Sequence, residues 1–357
     1  MSRKRSIYNQ IALLAGPSPA TGSQVGINQL HRIQTVNWDL SVPKENVNQM
    51  GQLAAIDRIN NESPQVSLDF SYYATDMQNE NALGFSVNSG VSALSNILQK
   101  LADDKNYYVL LVGEGEDAVG KAGADGAVTA IGNGFISSYS AEGSVGGFPT
   151  CSLGIEGLNI SFHADGVAEP SPAINPEDGA PVIGQAFTIP TIVSGGVGQT
   201  TAIKHGDITV SISDSAVIGE AISSAPIQSY NMSFDLSREN IDRLGSRYAF
   251  SKEINFPVDV SLTLEALAGD ISTGNLADLI CTSVGYDITV TLRQPICGTG
   301  IGAVAAQYQV KNVQLDSQNW GNSIGPSETF SASFIGQISA SGDTANGLFM
   351  SGITGYA

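Results

Sequence analysis

Basic residues are scarce in this chain. Its 357 residues include 16 Lys and Arg against 34 Asp and Glu, a formal net charge of −18. A surface so short of cations repels phosphate and cannot clamp nucleic acid. The three cysteines, Cys151, Cys281 and Cys297, form an odd and unpatterned set. That excludes a disulfide framework and reads as buried thiols in a reducing compartment. No apolar run approaches the roughly eighteen residues of a membrane-crossing helix. The opening MSRKRS is basic, but the IALLAG that follows is too short and too early for a secretory signal. Only 14% of residues are charged and 40 are glycine, which suits strands joined by many turns and disfavours helical bundles and disorder.

Motifs that carry chemistry are also few. The acidic GEGED at 113–117 lacks the alternating ligands and distal acid of a calcium loop. GTGIG at 298–302 lacks the last glycine of a dinucleotide fingerprint and follows Pro295-Ile296-Cys297 where a strand should run into the turn. His31, His163 and His205 are scattered, with no spacing that would hold zinc. Asn61, Asn159 and Asn231 open glycosylation-type triplets, which are chance matches without a secretion route. Trp38 and Trp320 stand in settings without bases and read as core or interface anchors rather than base-stacking platforms. The expectation is a protein that is not an enzyme and has no cofactor and no metal.

What is present is a repeat. Residues 33–51 read IQTVNWDLSVPKENVNQMG and residues 227–245 read IQSYNMSFDLSRENIDRLG. A shift of 194 positions superposes them without a gap. The register holds to Asp76 and Asp270, with thirteen of the forty-four pairs identical. Val36, Trp38, Leu40 and Val42 alternate with polar residues, as do Tyr230, Met232, Phe234 and Leu236. Val66, Leu68, Phe70 and Tyr72 share their phase with Val260, Leu262 and Leu264. Period-two alternation marks strands with one buried face. A slip of one residue would expose the whole apolar set, so shared phase implies shared register. The reading is one β domain copied in tandem: residues 1–165, a Pro/Gly-rich linker and extension over 166–203, and residues 204–357.

Between and around these strands, periodicity predicts a first strand at 6–16 and a turn at 43–51. The matching residues 237–245 read equally as a helical turn capped by Ser237. A helix is predicted over 89–105, with Val91, Leu94, Leu98 and Leu101 on one face, and a shorter counterpart over 275–280. Strands follow at 107–112 and 287–292. Closing strands are predicted at 135–139 and 149–162, and again at 307–315, 321–326 and 329–338. Residues 187–193 and 207–212 read as strands leading into the second copy. Lys and Arg are absent from 122–203 and from 312–357, although both stretches carry acids.

The strand IQTVNWDLSV, the turn ENVNQMG, the strand VSLDFSYY and the closing SSYSAEGSVGGFPTCSLGIEGLNI resemble the tail tube proteins of long-tailed bacteriophages. The second half repeats these features more loosely. It departs at Pro326-Ser327-Glu328, where the first half has Gly147-Phe148-Pro149, and in the loop at 113–134. The resemblance implies a mainly β fold: tandem tail-tube-like β-sandwich or barrel domains, each flanked by one α-helix. It implies homo-oligomeric rings, trimers with pseudo-sixfold symmetry where two domains share a chain, stacked into a hollow tube of the virion. DNA would pass through that tube without specific binding. Tape-measure, tail-tip and terminator proteins would be the partners, assembly would occur in the host cytoplasm, and no membrane would be involved. Within that frame Glu142, Glu156, Asp316 and Glu328 are candidate lumen-proximal acids. Lys44, Glu45, Asn46, Arg238, Glu239, Asn240, Arg243 and Arg247 are candidate inter-subunit turn residues. The alternatives are a minor tail component, such as a terminator or tip protein, or a secreted glycan-binding β-protein.

Overall fold

The computed structural model describes residues 7–17, 26–60, 62–167, 170–182, 188–194, 202–213, 216–217, 220–221, 225–268, 285–296, 301–322 and 328–354. The chain is mainly β, with one large antiparallel sheet and, among the described residues, two short α-helices. The first half holds β1 (Ile11–Pro17), β2 (Asn28–Gln29), β3 (Ile33–Ser41), β4 (Glu45–Val47), β5 (Asp57–Ile59) and β6 (Gln65–Tyr73). Helices α1 (Gln78–Leu83) and α2 (Ser95–Leu98) follow, then β7 (Asp104–Val112), β8 (Gly126–Ser144), β9 (Thr150–Gly157) and β10 (Asn159–His163). The second half holds β11 (Ile208–Ile212), the small pair β12 (Ala216–Val217) and β13 (Glu220–Ala221), β14 (Ile227–Asp235), β15 (Arg238–Ile241) and β16 (Ser251–Ile254). It closes with β17 (Val258–Leu267), β18 (Tyr286–Arg293), β19 (Val304–Gly321), β20 (Thr329–Ile338) and β21 (Gly347–Gly352).

The ladders of the two halves agree in register. A shift of 194 carries Val36↔Phe70 onto Tyr230↔Leu264, and the bulge between Ile33 and Thr35 onto one between Ile227 and Ser229. From β8 onward the shift is 179: Ile136↔Ile155 becomes Leu315↔Phe334, and the bulge after Ile136 becomes one after Leu315. Asn133 and Asn312, the same shift apart, hold φ of 50° and 53°, a left-handed conformation that Asn tolerates better than most residues. The Asn133 N–H donates to Asn106 Oδ1 at 3.2 Å, and the Asn312 N–H donates to Asp287 Oδ1 at 2.9 Å. These bulges bend β8 and β19 between two sets of neighbours. The first part of β8 pairs with β7 and β10, and its second part with β9 and β14. β19 divides in the same way between β18 and β21 on one side of its bulge and β20 on the other.

One junction joins the halves. β14 pairs with β8 from Ser229↔Ser144 to Asp235↔Ser138. Strands therefore run in the order β3-β6-β9-β8-β14-β17-β20-β19 as one antiparallel ladder. The core is continuous across it: Leu68, Phe70, Tyr139, Met232, Phe234, Leu262 and Phe334 belong to one buried cluster. A second cluster, with Leu14, Tyr108 and Leu110, lies on the other face of β1 and β7.

Several sequence expectations change. The helix predicted over 89–105 shrinks to the four residues of α2, and α1 forms upstream of it. The reason is tertiary: residues 77–93 dock on the second half. The Met77 N–H donates to Ile353 O, the Ala93 N–H donates to Leu348 O, and Val87 bridges Met350. Backbone groups engaged in this way are lost to an i→i−4 ladder. The helix predicted at 275–280 lies outside the described residues. Residues 188–194 form no strand; Ile189 and Ile192 instead plug the second cluster. Within the segment read as a linker, Ala173 and Ile174 are buried and Ile174 N–H donates to Asn133 Oδ1 at 3.0 Å. Of that segment, the described residues 170–182 pack against the first half and, through Pro176 and Glu177, against the β15–β16 segment at 238–254. The ENxxxxG segments are neither tight turns nor helical: each opens a two-stranded arm, β4–β5 and β15–β16. Gly51 and Gly245 sit near the tips with φ of 88° and 92°. The strand predicted at 307–315 runs on to Gly321 as β19, most of the one predicted at 321–326 lies outside the described residues, and the strand predicted at 149–162 is divided at Leu158 into β9 and β10.

Candidate functional site

Alternation gives the eight-stranded ladder two faces of opposite character. Val66, Leu68, Phe70 and Tyr72 of β6 point into the core, so Ser67, Asp69 and Ser71 point away from it. The registers place Asn37 across from Asp69, Asn231 across from Glu142, and Thr263 across from Ser333. The open face is thus built of Ser, Thr and Asn, with Asp39, Asp69, Glu142, Asp235, Asp259 and Glu265 spread across it. Hydroxyls pair laterally: Thr35 with Ser71 at 2.7 Å and Ser233 with Ser261 at 2.9 Å, while the Ser229 hydroxyl donates to Glu265 Oε2 at 2.8 Å. Cross-strand pairs of this kind stiffen the surface without presenting a hydrogen-bond donor cluster for an anion. Strands β3, β6, β8, β9, β14, β17 and β20 contain no Lys or Arg. In β19 the one base is Lys311, which lies before the bulge.

The predicted acids fall at different places. Glu142 stands exposed on this face. Glu156 shares the face but lies at its margin, where Lys252 Nζ holds it at 2.9 Å. Asp316 occupies the bulge of β19 and lines a groove of about 770 Å³ with Gln314, Leu315, Ile335 and Gln337. Glu328 precedes β20, and its carbonyl accepts from Ala268 N–H at 2.9 Å. Asp39, Asp69, Asp235, Asp259 and Glu265 escape a search for base-free segments. Their signal is strand phase: each occupies a polar position of an alternating strand.

The predicted turn residues divide by half. The β15–β16 arm folds onto the first half. Arg238 Nη2 reaches Asp103 Oδ1 at 2.7 Å with its side chain 1% exposed, and its guanidinium lies 5.0 Å from the Phe135 ring centre. Arg243 pairs with Glu177 at 2.6 Å, and Lys100 with Glu253 at 2.6 Å. Glu239, Asn240 and Arg247 are exposed. In the β4–β5 arm Lys44, Glu45 and Asn46 are exposed, as are Met50 and Leu53 near its tip. Among the described residues neither Lys44 nor Arg58 has an ion pair.

One buried polar cluster lies behind the face. Glu80 of α1 is 0% exposed. Its Oε1 accepts from the hydroxyls of Tyr72 (2.7 Å), Tyr139 (3.1 Å) and Tyr308 (3.5 Å). Burial pushes this carboxyl up to about 7, against the opposing pull of the Tyr72 hydrogen bond. Burial likewise raises the Cys151 thiol to about 12, so it is inert rather than nucleophilic. Among the described residues no three His, Cys, Asp or Glu side chains gather as metal ligands, and no helix is long and apolar enough to cross a membrane. The GNSIG at 321–325 has the spacing of a nucleophile elbow. Its Ser323, Ile324 and Gly325 lie outside the described residues.

No protein-family model matches the chain, and no curated protein matches it. Solved structures similar to part of it include two of tail or injection-system assemblies. One is the tail tube of SPP1, a hybrid structure from solid-state NMR and cryo-EM. It is 13% identical, covers 46% of this chain and 81% of that one, and has a TM-score of 0.31. The other is a chain of the six-fold symmetrised anti-feeding prophage baseplate, 10% identical, covering 46% of this chain and 98% of that one with a TM-score of 0.30. At such scores neither similarity carries a functional conclusion.

Proposed function

We propose that this chain is a structural subunit of a phage-type tail tube. Its copies join into rings that stack as a hollow conduit for DNA. The observation that carries the reading is the base-free polar face of the eight-stranded ladder, whose two ends, β3 and the part of β19 after its bulge, are each paired on one side only among the described residues. Unpaired edges template further pairing, and a sheet closed on itself has none. A wall of hydroxyls and carboxylates lets DNA slide past, because counterion release requires cations that the wall lacks. Glu142, with Asp39, Asp69, Asp235, Asp259 and Glu265, would line the bore.

The matched registers and matched bulges support a tandem duplication, with domains at 1–165 and 204–357 joined by 166–203. Three chains would then supply six similar units per ring. The virion tail would be the location, and tape-measure, tail-tip and terminator proteins the partners. Electron microscopy of the purified full-length chain tests the reading. Hollow tubes, or rings of three chains with a sixfold outline, are the expected result. A chain that stays monomeric at high concentration would overturn it.

A further inference from the structure

The junction between β14 and β8 has a counterpart that a single chain leaves open. Pairing with β8 covers β14 and its continuation, so that Met232, Phe234 and Leu236 are 1%, 2% and 1% exposed. Trp38, Leu40 and Val42 hold the same places in the first copy and stand 40%, 47% and 39% exposed. Among the described residues β3 has no partner beyond β6. The receiving side is open as well. The part of β19 after its bulge corresponds to the part of β8 that accepts β14, and among the described residues it pairs with β20 alone.

The arms follow the same logic. β15–β16 lies over β8 and β9, where the Arg238 Nε–H donates to Ile136 O at 3.3 Å and Lys252 meets Glu156. The equivalent of Ile136 is Leu315, and that of Glu156 is Ile335. Both line the empty groove of about 770 Å³, together with Asp316. The equivalents of Arg238 and Lys252 are Lys44 and Arg58, the exposed bases of the β4–β5 arm. An uncovered apolar strand edge, a groove with an acid in it, and an arm with exposed bases are thus complementary between two copies of the chain.

We propose that β3 and the β4–β5 arm of one copy dock on β19 and β20 of the next, antiparallel and in the register of the internal junction. Met232↔Ala141 then becomes Trp38↔Trp320, and Ser233↔Ser140 becomes Asp39↔Asn319. Lys44 enters the groove beside Asp316. Strand addition supplies affinity through main-chain hydrogen bonds, and the alternate side chains fix the register. The contact joins unlike surfaces, so it propagates from copy to copy until a ring closes. This inference rests on the self-assembling reading above and specifies its joint.

Cysteine pairing in the full-length chain tests it. Asp39→Cys in one chain and Asn319→Cys in another are co-assembled and oxidised. The parental chain serves as the blank, and Ser140→Cys/Ser233→Cys within one chain as the positive control. A pair four residues out of register, Thr35→Cys with Asn319→Cys, is too far apart to bridge. The expected result is an intermolecular disulfide for Asp39/Asn319 at least roughly tenfold above the out-of-register pair. Asp316→Lys should weaken self-association by roughly tenfold, with Lys44→Glu in the same chain restoring it. Rings or tubes that form without the Asp39/Asn319 disulfide, or with the Thr35/Asn319 one, overturn this joint and leave the tube reading standing. A chain with the control disulfide that does not self-associate overturns both.

Discussion

Glu80 is the residue with the most unusual setting. Three tyrosine hydroxyls serve Oε1, while Oε2 has no partner among the described residues. The carboxyl is raised from its ordinary 4.5 to about 7, so the folded chain keeps a proton that the unfolded chain has lost. Its contribution to stability is complete below about pH 4.5 and is lost as pH rises through about 7. Glu80→Gln should remove this component. In thermal unfolding between those limits, the wild type should lose stability relative to the variant as pH rises, and parallel curves would refute the assignment. A glycine makes a second, steric case. A Cβ on Gly143 would fall 2.6 Å from Tyr230 Cε1 at the junction of β8 and β14. Gly143→Ala should therefore cost about 1–3 kcal/mol by denaturant titration. Gly206→Ala, whose Cβ would meet nothing within 4 Å, should change stability by less than about 0.5 kcal/mol.

Among the elements, the two arms show how one sequence motif acquires two fates. Arg238 and Lys44 occupy the same position of the repeat, but Arg238 is shut against Asp103 and Phe135 while Lys44 is open to solvent. Removing one partner of a nearly dry ion pair strands the other charge. Arg238→Ala should thus lower the stability of the isolated chain by about 3 kcal/mol, and Lys44→Ala by less than about 0.5 kcal/mol, both read from urea unfolding. Equal losses would mean that the arms are alike in the monomer. The strands β3, β14 and β20 were legible because alternation is carried by neighbouring residues. The helix over 89–105 was not, because its Ala93 N–H is claimed by Leu348 of β21, some 250 residues away in sequence, and its last residues, Asp104 and Lys105, join β7.

For the whole molecule, the charge pattern has a direct consequence. With a net charge of −18 and a base-free face, assembled particles should retain no duplex DNA even at about 50 mM salt. Replacing Asp69, Glu142, Asp235 and Glu265 by Lys should create retention that falls steeply as salt rises. A filter-retention assay on assembled particles measures both, and retention by the wild-type particles at low salt would count against a repelling wall. Counting charges along segments points to 122–203 and 312–357, yet the face also draws Asp39, Asp69 and Asp235 from opening strands. Which strands share a face is a property of pairing, and pairing joins residues far apart in sequence.

By itself the sequence determined the phase of each strand, the offset of 194 between its two matching segments and the lack of bases on the exposed phase. Those are consequences of covalent order, since side chains alternate along any extended backbone. The tertiary structure decided which edges are used. β14 meets β8 within the chain, while among the described residues β3 has no neighbour beyond β6, although the two strands share their pattern. The difference arises because a strand edge is satisfied only by a neighbour at the right place, and the linear order of two similar halves supplies one internal junction and leaves one unlike edge at each end.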